Sequence, residues 1–539
     1  MKSLKNFFLI DKKKLIFVLC IIFFHALLET GIAVLIWILF DLLDKVSEIT
    51  IFIYFGIGAL IYIFLAALMN SADIYFTQKY VSLMTKIYRE DLYKNIFNLN
   101  YTDFNKKTPD EYMTLINRDA STVSENLFKQ FFYFIYQFLL FMTAIIISFV
   151  MNYIVAAILL VLSILVVVFP AIYRKKISFQ MNKLSNDFLE FSKYIGNTFS
   201  GIDIVQNYGA IHNIADRIDS LNSKVYSSEI GKHKLIGQVN FGNYFVVLLL
   251  QISVALISGI LSIYGKSTIA VSISFLSIAS NVYNPISMML SAYLDIMSTK
   301  DIVIKIANIK PSEEVAESSY FNVSKITLDN FSIKFNSKNL FNNVSFTFET
   351  GKKYLLTGES GCGKTTLLET LIGHNDDYRG HIFYDNIDGR DLTFEKKNRL
   401  IAYCKQTPHL FIGSLKENIT LFAKQVDYAK LKDVIDLCQL TDFVVNRGLD
   451  TPLDLSNNKI SLGEMQRISL CRALYFDKPI LFLDEITASL DICNREKIFD
   501  AIQHINNKLI VWISHDEGAL KLNWIDNIIH IENKSFSVN

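Results

Sequence analysis

Lys352–Gly373 reads KKYLLTGESGCGKTTLLETLIG, and its reading decides the architecture of half the chain. The apolar strand pattern KKYLLTG runs straight into GESGCGKTT and then into the helical pattern TTLLETLIG. Gly358, Gly363, Lys364 and Thr365 satisfy G-x-x-x-x-G-K-S/T in the strand-loop-helix setting that gives the pattern its meaning. Glycines let backbone amides along Glu359, Ser360, Gly361, Cys362 and Thr366 close around phosphate at a helix N-terminus. Lys364 then reaches the outer phosphates, and the Thr365 hydroxyl is a Mg²⁺ ligand, so ATP with Mg²⁺ is the expected ligand pair.

A second element agrees with the first. PILFLDE is an apolar strand ending in Asp484 and Glu485, where a phosphate-binding loop needs a Mg²⁺ partner and a base for water. Two carboxylates at a strand end also describe a solvated turn. LIVWISHD is another apolar strand, ending at His515, which could contact the terminal phosphate or be structural. From Lys325 onward strand-like and helical runs alternate, which predicts a parallel sheet flanked by helices.

The rest of the chain is of another kind. Of 539 residues 51% are apolar, more than a soluble domain needs, and the excess lies before residue 300. Leu15–Phe40, Ile51–Met69, Phe131–Val150, Ile154–Ile172, Tyr244–Tyr264 and Ile269–Ile296 each approach the ~20 residues that cross ~30 Å of hydrocarbon, predicting six spans. The N-terminal MKSLKNFFLIDKKK and the segments Lys79–Lys129 and Arg174–Lys234 are rich in Lys and Arg, whereas DLLDKVSEIT, MNY and GKS carry one lysine or none. Both termini are therefore expected in the cytoplasm. A formal net charge of +1 without a basic tract argues against nucleic acid as a partner. The six cysteines show no paired spacing and read as free thiols.

Taken together these motifs resemble those of the ATP-binding cassette (ABC) transporters. GESGCGKT is similar to the Walker A loop, Gln406 in YCKQTPHLF to the Q-loop glutamine, and ILFLD followed by Glu485 to Walker B. ASLD, ending at Asp491, resembles the D-loop, His515 the switch histidine, and SLGEMQRISLCRAL the signature and its helix. The resemblance implies that Glu485, His515 and Gln406 act in ATP hydrolysis and that Thr365, Gln406 and Asp484 surround Mg²⁺. It further implies that Ser461 and Gly463 face nucleotide held by a second subunit, that Asp491 belongs to the nucleotide site, and that Phe335 in FSIKF stacks on adenine, unless it is a core residue. YREDLYKNIFNLNYTDF and NRDASTV resemble the first intracellular loop of six-span exporters, with coupling helices expected near Lys106–Leu115 and Gly201–Tyr208.

Departures from the pattern define the open points. The signature positions read Ile460, Ser461, Leu462, Gly463 and Glu464, so a bulky residue and an acid replace a glycine and a glutamine. Glu464 either repels polyphosphate or turns away, for instance to Arg467. An altered signature beside an intact Glu485 and His515 is compatible with a homodimer or with the hydrolysing subunit of a heterodimer. The family's acid before the signature has Asp454 as its nearest counterpart. In the first span His25 and Glu29 share a helix face, a costly placement that marks a substrate pathway, a mutually satisfied pair or an interhelical hydrogen bond. Asn281 and Asn284-Pro285 suggest a kinked, polar-lined sixth span, or packing alone.

The expected organisation is an all-α six-helix transmembrane domain over 1–305, a linker over 306–324 and an α/β P-loop ABC ATPase domain over 325–539. The expected function is ATP-driven export by a half-transporter that dimerises in the lipid bilayer, with a membrane protein that binds nucleotide without pumping as the alternative. Family analogy ranks a peptide such as a bacteriocin first among substrates, then drugs, then lipids. No peptidase pattern precedes the first span, which argues against leader cleavage. Richness in Lys, Asn, Ile and Phe suggests an AT-rich bacterial source, and with six spans the expected location is the bacterial plasma membrane.

Overall fold

The computed structural model describes residues 7–45, 48–309, 323–335, 338–453, 460–487 and 490–538. It divides into two compact units: residues up to Phe97 with Thr108–Lys310, and Asn98–Lys107 with the residues from Pro311 on.

The first unit is helical. Its long helices are α1 (Lys12–Lys45), α2 (Ile49–Phe97), α3 (Gln130–Met151), α4 (Tyr153–Ser200), α5 (Ile211–Ile263) and α6 (Ile269–Ser298). Among the described residues five helical stretches are long and apolar enough to cross a membrane. The remaining apolar run, Ile154–Ile172, lies in α4, where the side chains of 165–171 fall outside the described ones. Large apolar side chains such as Leu60 and Phe64 point outward from α2, as a multi-pass membrane protein requires of faces that meet lipid.

Local chemistry sets the turns and close approaches. Asn152 accepts from the amides of Ile154 and Val155, capping α4, and donates to Lys266 O at 3.1 Å, so the connections MNY and GKS are tied together. A side chain at Gly31 would collide with the Tyr62 hydroxyl, which donates to Leu28 O at 2.9 Å. Glycine at this position leaves room for the Tyr62 hydroxyl against α1. Pro285 lies inside α6, which continues through it, with Asn281 half-buried and Asn284 exposed.

His25 does not pair with Glu29. It donates from Nδ1 to Asp73 Oδ2 on α2 at 2.8 Å and stacks on Tyr136 of α3 at 4.7 Å. Thr77 donates to the other Asp73 oxygen at 2.8 Å. The pair is a polar pin between helices, satisfied where water is absent.

The stretch before α3 departs from regular helix, with π-helical turns at Leu115–Asp119 and Ser124–Lys129. Arg89 donates to Ser121 Oγ at 2.8 Å, and Lys305 pairs with the buried Asp119 at 3.1 Å. The first coupling helix was expected near Lys106–Leu115. A helix starts at Pro109 within that stretch, in the first unit, and the short helix Tyr101–Phe104 before it belongs to the second. Thr108 fixes that start by a capping box with Glu111 and a proline at the first helical position. Ile202–Asn207 forms a short helix in the second expected stretch.

The second unit is α/β. An antiparallel sheet has the order β2 (Lys338–Glu349), β1 (Lys325–Phe335), β4 (Tyr378–Tyr384), β5 (Ile387–Asp388). The larger sheet has the order β10 (Ser535–Val538), β9 (Asn527–Glu532), β3 (Lys353–Gly358), β8 (Leu509–Ile513), β7 (Ile480–Asp484), β6 (Ile401–Cys404). Its strands from β9 to β6 are parallel. Every residue of β7 and β8 is buried, as expected of central parallel strands covered on both faces. Helices α7 (Lys364–Ile372), α8 (Leu462–Tyr475) and α9 (Ile492–Gln503) complete the frame of the site.

Candidate nucleotide site

The site forms at the C-terminal ends of β3, β7, β8 and β6, where a parallel sheet directs its loops toward ligands. Strand β3 stops at Gly358, and the loop turns through left-handed backbone at Gly361 and Gly363 before α7 begins. A Cβ on Gly363 would lie 3.0 Å from the Phe341 ring and 3.2 Å from Leu340 Cβ, so the loop packs too tightly there for a side chain. Lys364 is buried and donates from Nζ to Gly358 O and Glu359 O, each at 2.9 Å. The ammonium therefore sits inside the curl of the loop, and phosphate oxygens would replace those carbonyls. Glu359, Ser360 and Thr365 are exposed at the rim, Cys362 and Thr366 half-buried.

At the end of β7, Asp484 Oδ1 accepts from the Thr365 hydroxyl at 3.2 Å and Oδ2 from the Tyr403 hydroxyl at 3.0 Å. Burial pushes the Asp484 carboxyl up from the ordinary aspartate range, and these two hydrogen bonds partly offset the shift. A hydroxyl and a carboxylate beside a phosphate loop are the hard oxygen donors that Mg²⁺ takes, with phosphate and water completing its shell. The residues present fit that ion.

The next residue gathers the remaining candidates. Glu485 has left-handed backbone (φ 47°), held by its amide donating to Ile513 O at 3.0 Å. Gln406 Nε2 donates to Glu485 Oε2 at 2.6 Å, and His515 Nε2 lies 3.3 Å from Oε1. Three residues from separate loops thus converge on one carboxylate, which is the geometry of a positioned base. Gln406 reaches Glu485, and among the described residues no hydrogen bond joins it to Asp484 or Thr365.

The signature lies with the D-loop. Ser461 caps α8, its hydroxyl accepting from the Glu464 amide at 3.2 Å while Glu464 Oε2 accepts from the Ser461 amide at 2.8 Å. Glu464 also approaches Arg447 at 4.0 Å, whereas Arg467 donates to Gln439 O. The acid turns back onto its own helix start and leaves Arg467 alone. A Cβ on Gly463 would press on Asn494 and Leu490 at 3.2 Å, so glycine serves the packing of α8 against α9. Asp491 caps α9 through the amide and side chain of Asn494, which lower its carboxyl from the usual range. Among the described residues no hydrogen bond joins Ser461 or Asp491 to the phosphate loop of the same chain. The Phe335 side chain and Asp454 lie outside the described residues.

Sequence reasoning passed over Tyr403, His374, Tyr101 and Lys405. The Tyr101 ring stacks on His374 at 3.6 Å, Lys405 donates to the Tyr101 hydroxyl at 3.2 Å, and His374 meets Tyr403 edge-on at 6.3 Å. Burial, helped by Lys405, brings the His374 imidazole down to about 4. Tyr403 was in principle readable: β6 pairs with β7 in parallel register, Cys404 opposite Leu483, which brings a β6 tyrosine beside the end of β7.

Comparison with known proteins agrees with this architecture. Residues 15–286 match the family model of the ABC transporter transmembrane region, and residues 341–488 that of the ABC transporter. The colicin V secretion/processing ATP-binding protein CvaB of Escherichia coli is 28% identical over 359 residues, 63% of this chain and 50% of that protein. The microcin-J25 export ATP-binding/permease protein McjD of Escherichia coli is 37% identical over 189 residues, 34% of this chain and 32% of that protein. The alignments thus span about half the length of the first relative and a third of the second. A bacterial Atm1-family ABC exporter with ATP bound superposes with a TM-score of 0.83 over 98% of this chain and 94% of that one, at 17% identity, a likeness of fold. The membrane-region match alone takes in half of the sequence, and with the second match over much of the other half, the chain belongs to the ABC transporters.

Proposed function

We propose that this chain is one half of an ATP-driven exporter, dimeric in the membrane, with both termini in the cytoplasm. The observation that carries the proposal is the convergence of Gln406 and His515 on Glu485, next to the Thr365–Asp484 pair and in one chain with membrane-spanning helices.

The chemistry follows from the residues. The Gly358–Thr366 loop holds the phosphates by backbone amides, with Lys364 exchanging its carbonyl partners for phosphate oxygens. Mg²⁺, when bound between Thr365 and Asp484, supplies charge neutralisation on the transferring phosphoryl group. Glu485 orients and polarises the attacking water. Gln406 and His515 hold that carboxylate in position, so its conformation responds to both the loop after β6 and the loop after β8. Ser461 and Gly463, at the start of α8, present amides to nucleotide on the partner subunit. Because Glu464 is engaged by its own helix start, the altered signature keeps the geometry it needs and a homodimer is the simpler assembly.

The relatives named for colicin V secretion and microcin-J25 export favour a peptide as substrate. The test is ATP-dependent uptake of labelled peptides of that class into inside-out vesicles carrying the chain. Uptake lost in Glu485→Gln supports the proposal. ATP turnover without uptake of any peptide would leave the alternative, a nucleotide-regulated membrane protein.

A further inference from the structure

A groove of about 460 Å³ lies between α4 and α5 in the first unit, far along the chain from every nucleotide-binding residue. Its charged wall is Lys175 and Lys176 from α4 with Lys234 from α5, and Gln180 and Gln238 add polar groups. Its apolar wall is Phe179 and Leu235. All three lysines are exposed, and among the described residues none has a carboxylate within ion-pair distance. Other charges on the same helices do find partners: Lys224 pairs with Glu190 at 3.8 Å, and His233 lies 3.9 Å from Glu229. The positive charge at the groove is therefore uncompensated. At Gly231 a Cβ would lie 3.3 Å from Gln180 Oε1 across the groove.

Position identifies the ligand class. Lys175 and Lys176 follow directly on the apolar run Ile154–Ile172, about 5 Å beyond its end at 1.5 Å per residue. Gln238 and Lys234 stand about 9 and 15 Å before the run that begins at Tyr244 at the same rise. The groove thus begins where the apolar stretches of two adjacent helices give way to polar sequence and extends outward from the headgroup layer, on the Lys- and Arg-rich side. The Lys176 ammonium lies 5.7 Å from the Tyr173 ring centre, an aromatic anchor typical of that depth. Three ammonium groups without a carboxylate partner, beside an apolar wall, match the phosphate of a lipid headgroup.

We propose that this groove binds the headgroup of an anionic phospholipid of the inner leaflet, held by Lys175, Lys176 and Lys234. The proposal rests on the cytoplasmic placement of the α4–α5 connection and is independent of ATP hydrolysis. Lysines near an anionic membrane surface each contribute roughly five-fold in affinity, so removing three costs at least ten-fold after screening by salt.

The test is native mass spectrometry of the full chain titrated with dioleoyl phosphatidylglycerol and dioleoyl phosphatidylcholine. Preferential phosphatidylglycerol adducts are expected, reduced at least ten-fold in Lys175→Gln/Lys176→Gln/Lys234→Gln. The Lys→Arg triple variant should retain them, which separates loss of charge from loss of fold. Lys183→Gln/Lys193→Gln/Lys224→Gln removes equal charge from the same helices and should bind as the parent does. Equal binding of both lipids, equal loss in the control variant, or displacement by inorganic phosphate at the concentrations that displace short-chain phosphatidylglycerol would each overturn the proposal. The last result would identify a soluble anion as the occupant.

Discussion

Glu464 is the residue on which the two readings of the signature differ most, and its replacement by glutamine or alanine separates them. Its carboxylate accepts from the Ser461 amide at 2.8 Å and sits on the first turn of α8, where the helix dipole favours negative charge. Glu464→Gln keeps an acceptor and loses the charge, costing about 0.3–1 kcal/mol. Glu464→Ala also removes half of the capping box, for a cost nearer 1 kcal/mol. In hydrogen-exchange mass spectrometry of the full chain, these costs appear as faster exchange at the start of α8, about two- to five-fold for glutamine and five-fold or more for alanine. ATP affinity should change little with glutamine, because the charge is already turned away from the partner's phosphates. Unchanged exchange with ATP affinity raised ten-fold or more in Glu464→Gln would refute the reasoning. It would mean that the carboxylate repels nucleotide and stabilises nothing.

Three further outcomes follow from the geometry. Tyr403→Phe removes a donor from the buried Asp484 carboxylate, worth about 1.5–3 kcal/mol for a hydrogen bond to a charged group; Mg-ATP protection of Cys362 from maleimide should then need at least ten-fold more nucleotide. His374 has a pKa of about 4 in the fold against about 6.5 when unfolded, so between those values the unfolded chain takes up a proton that the folded one refuses. Stability of the soluble unit therefore falls as pH drops through that window, by about 1 kcal/mol at pH 5 after allowing for partial exposure. Fluorescence of Trp512 and Trp524 in a Trp37→Phe background should report the slope, and His374→Gln should abolish it. A double-mutant cycle on His25 and Asp73 should give a coupling of about 0.6–1.7 kcal/mol, and one on His25 and Glu29 none.

The extent to which the sequence discloses the site depends on whether partners are set by local spacing. The phosphate loop, Asp484 and Glu485 were readable because strand, turn and helix follow one another without interruption, and each functional side chain sits at a fixed offset from a strand end. The membrane half was readable as apolar runs, because lipid imposes a length on every span. Contacts across elements were not. His25 sees Glu29 at helical spacing, yet its partner Asp73 lies 48 residues on, on another helix whose rotation no periodicity reveals. Glu464 offered both signals: Ser461-x-x-Glu464 is a capping box by spacing, and reading the stretch as a worn signature drew attention away from it. The break inside the stretch expected for the first coupling helix was legible only locally: Thr108-Pro109 starts a new helix, and the stretch divides between the two units there.

ATP hydrolysis by the purified chain alone in lipid bilayers, beside a Glu485→Gln control, tests the central claim most directly. The account predicts turnover by the parent chain and none by Glu485→Gln, with Mg-ATP protecting Cys362 in both. Turnover surviving in Glu485→Gln would contradict the assignment of the base. Nucleotide binding without turnover in the parent chain would contradict a self-sufficient homodimer.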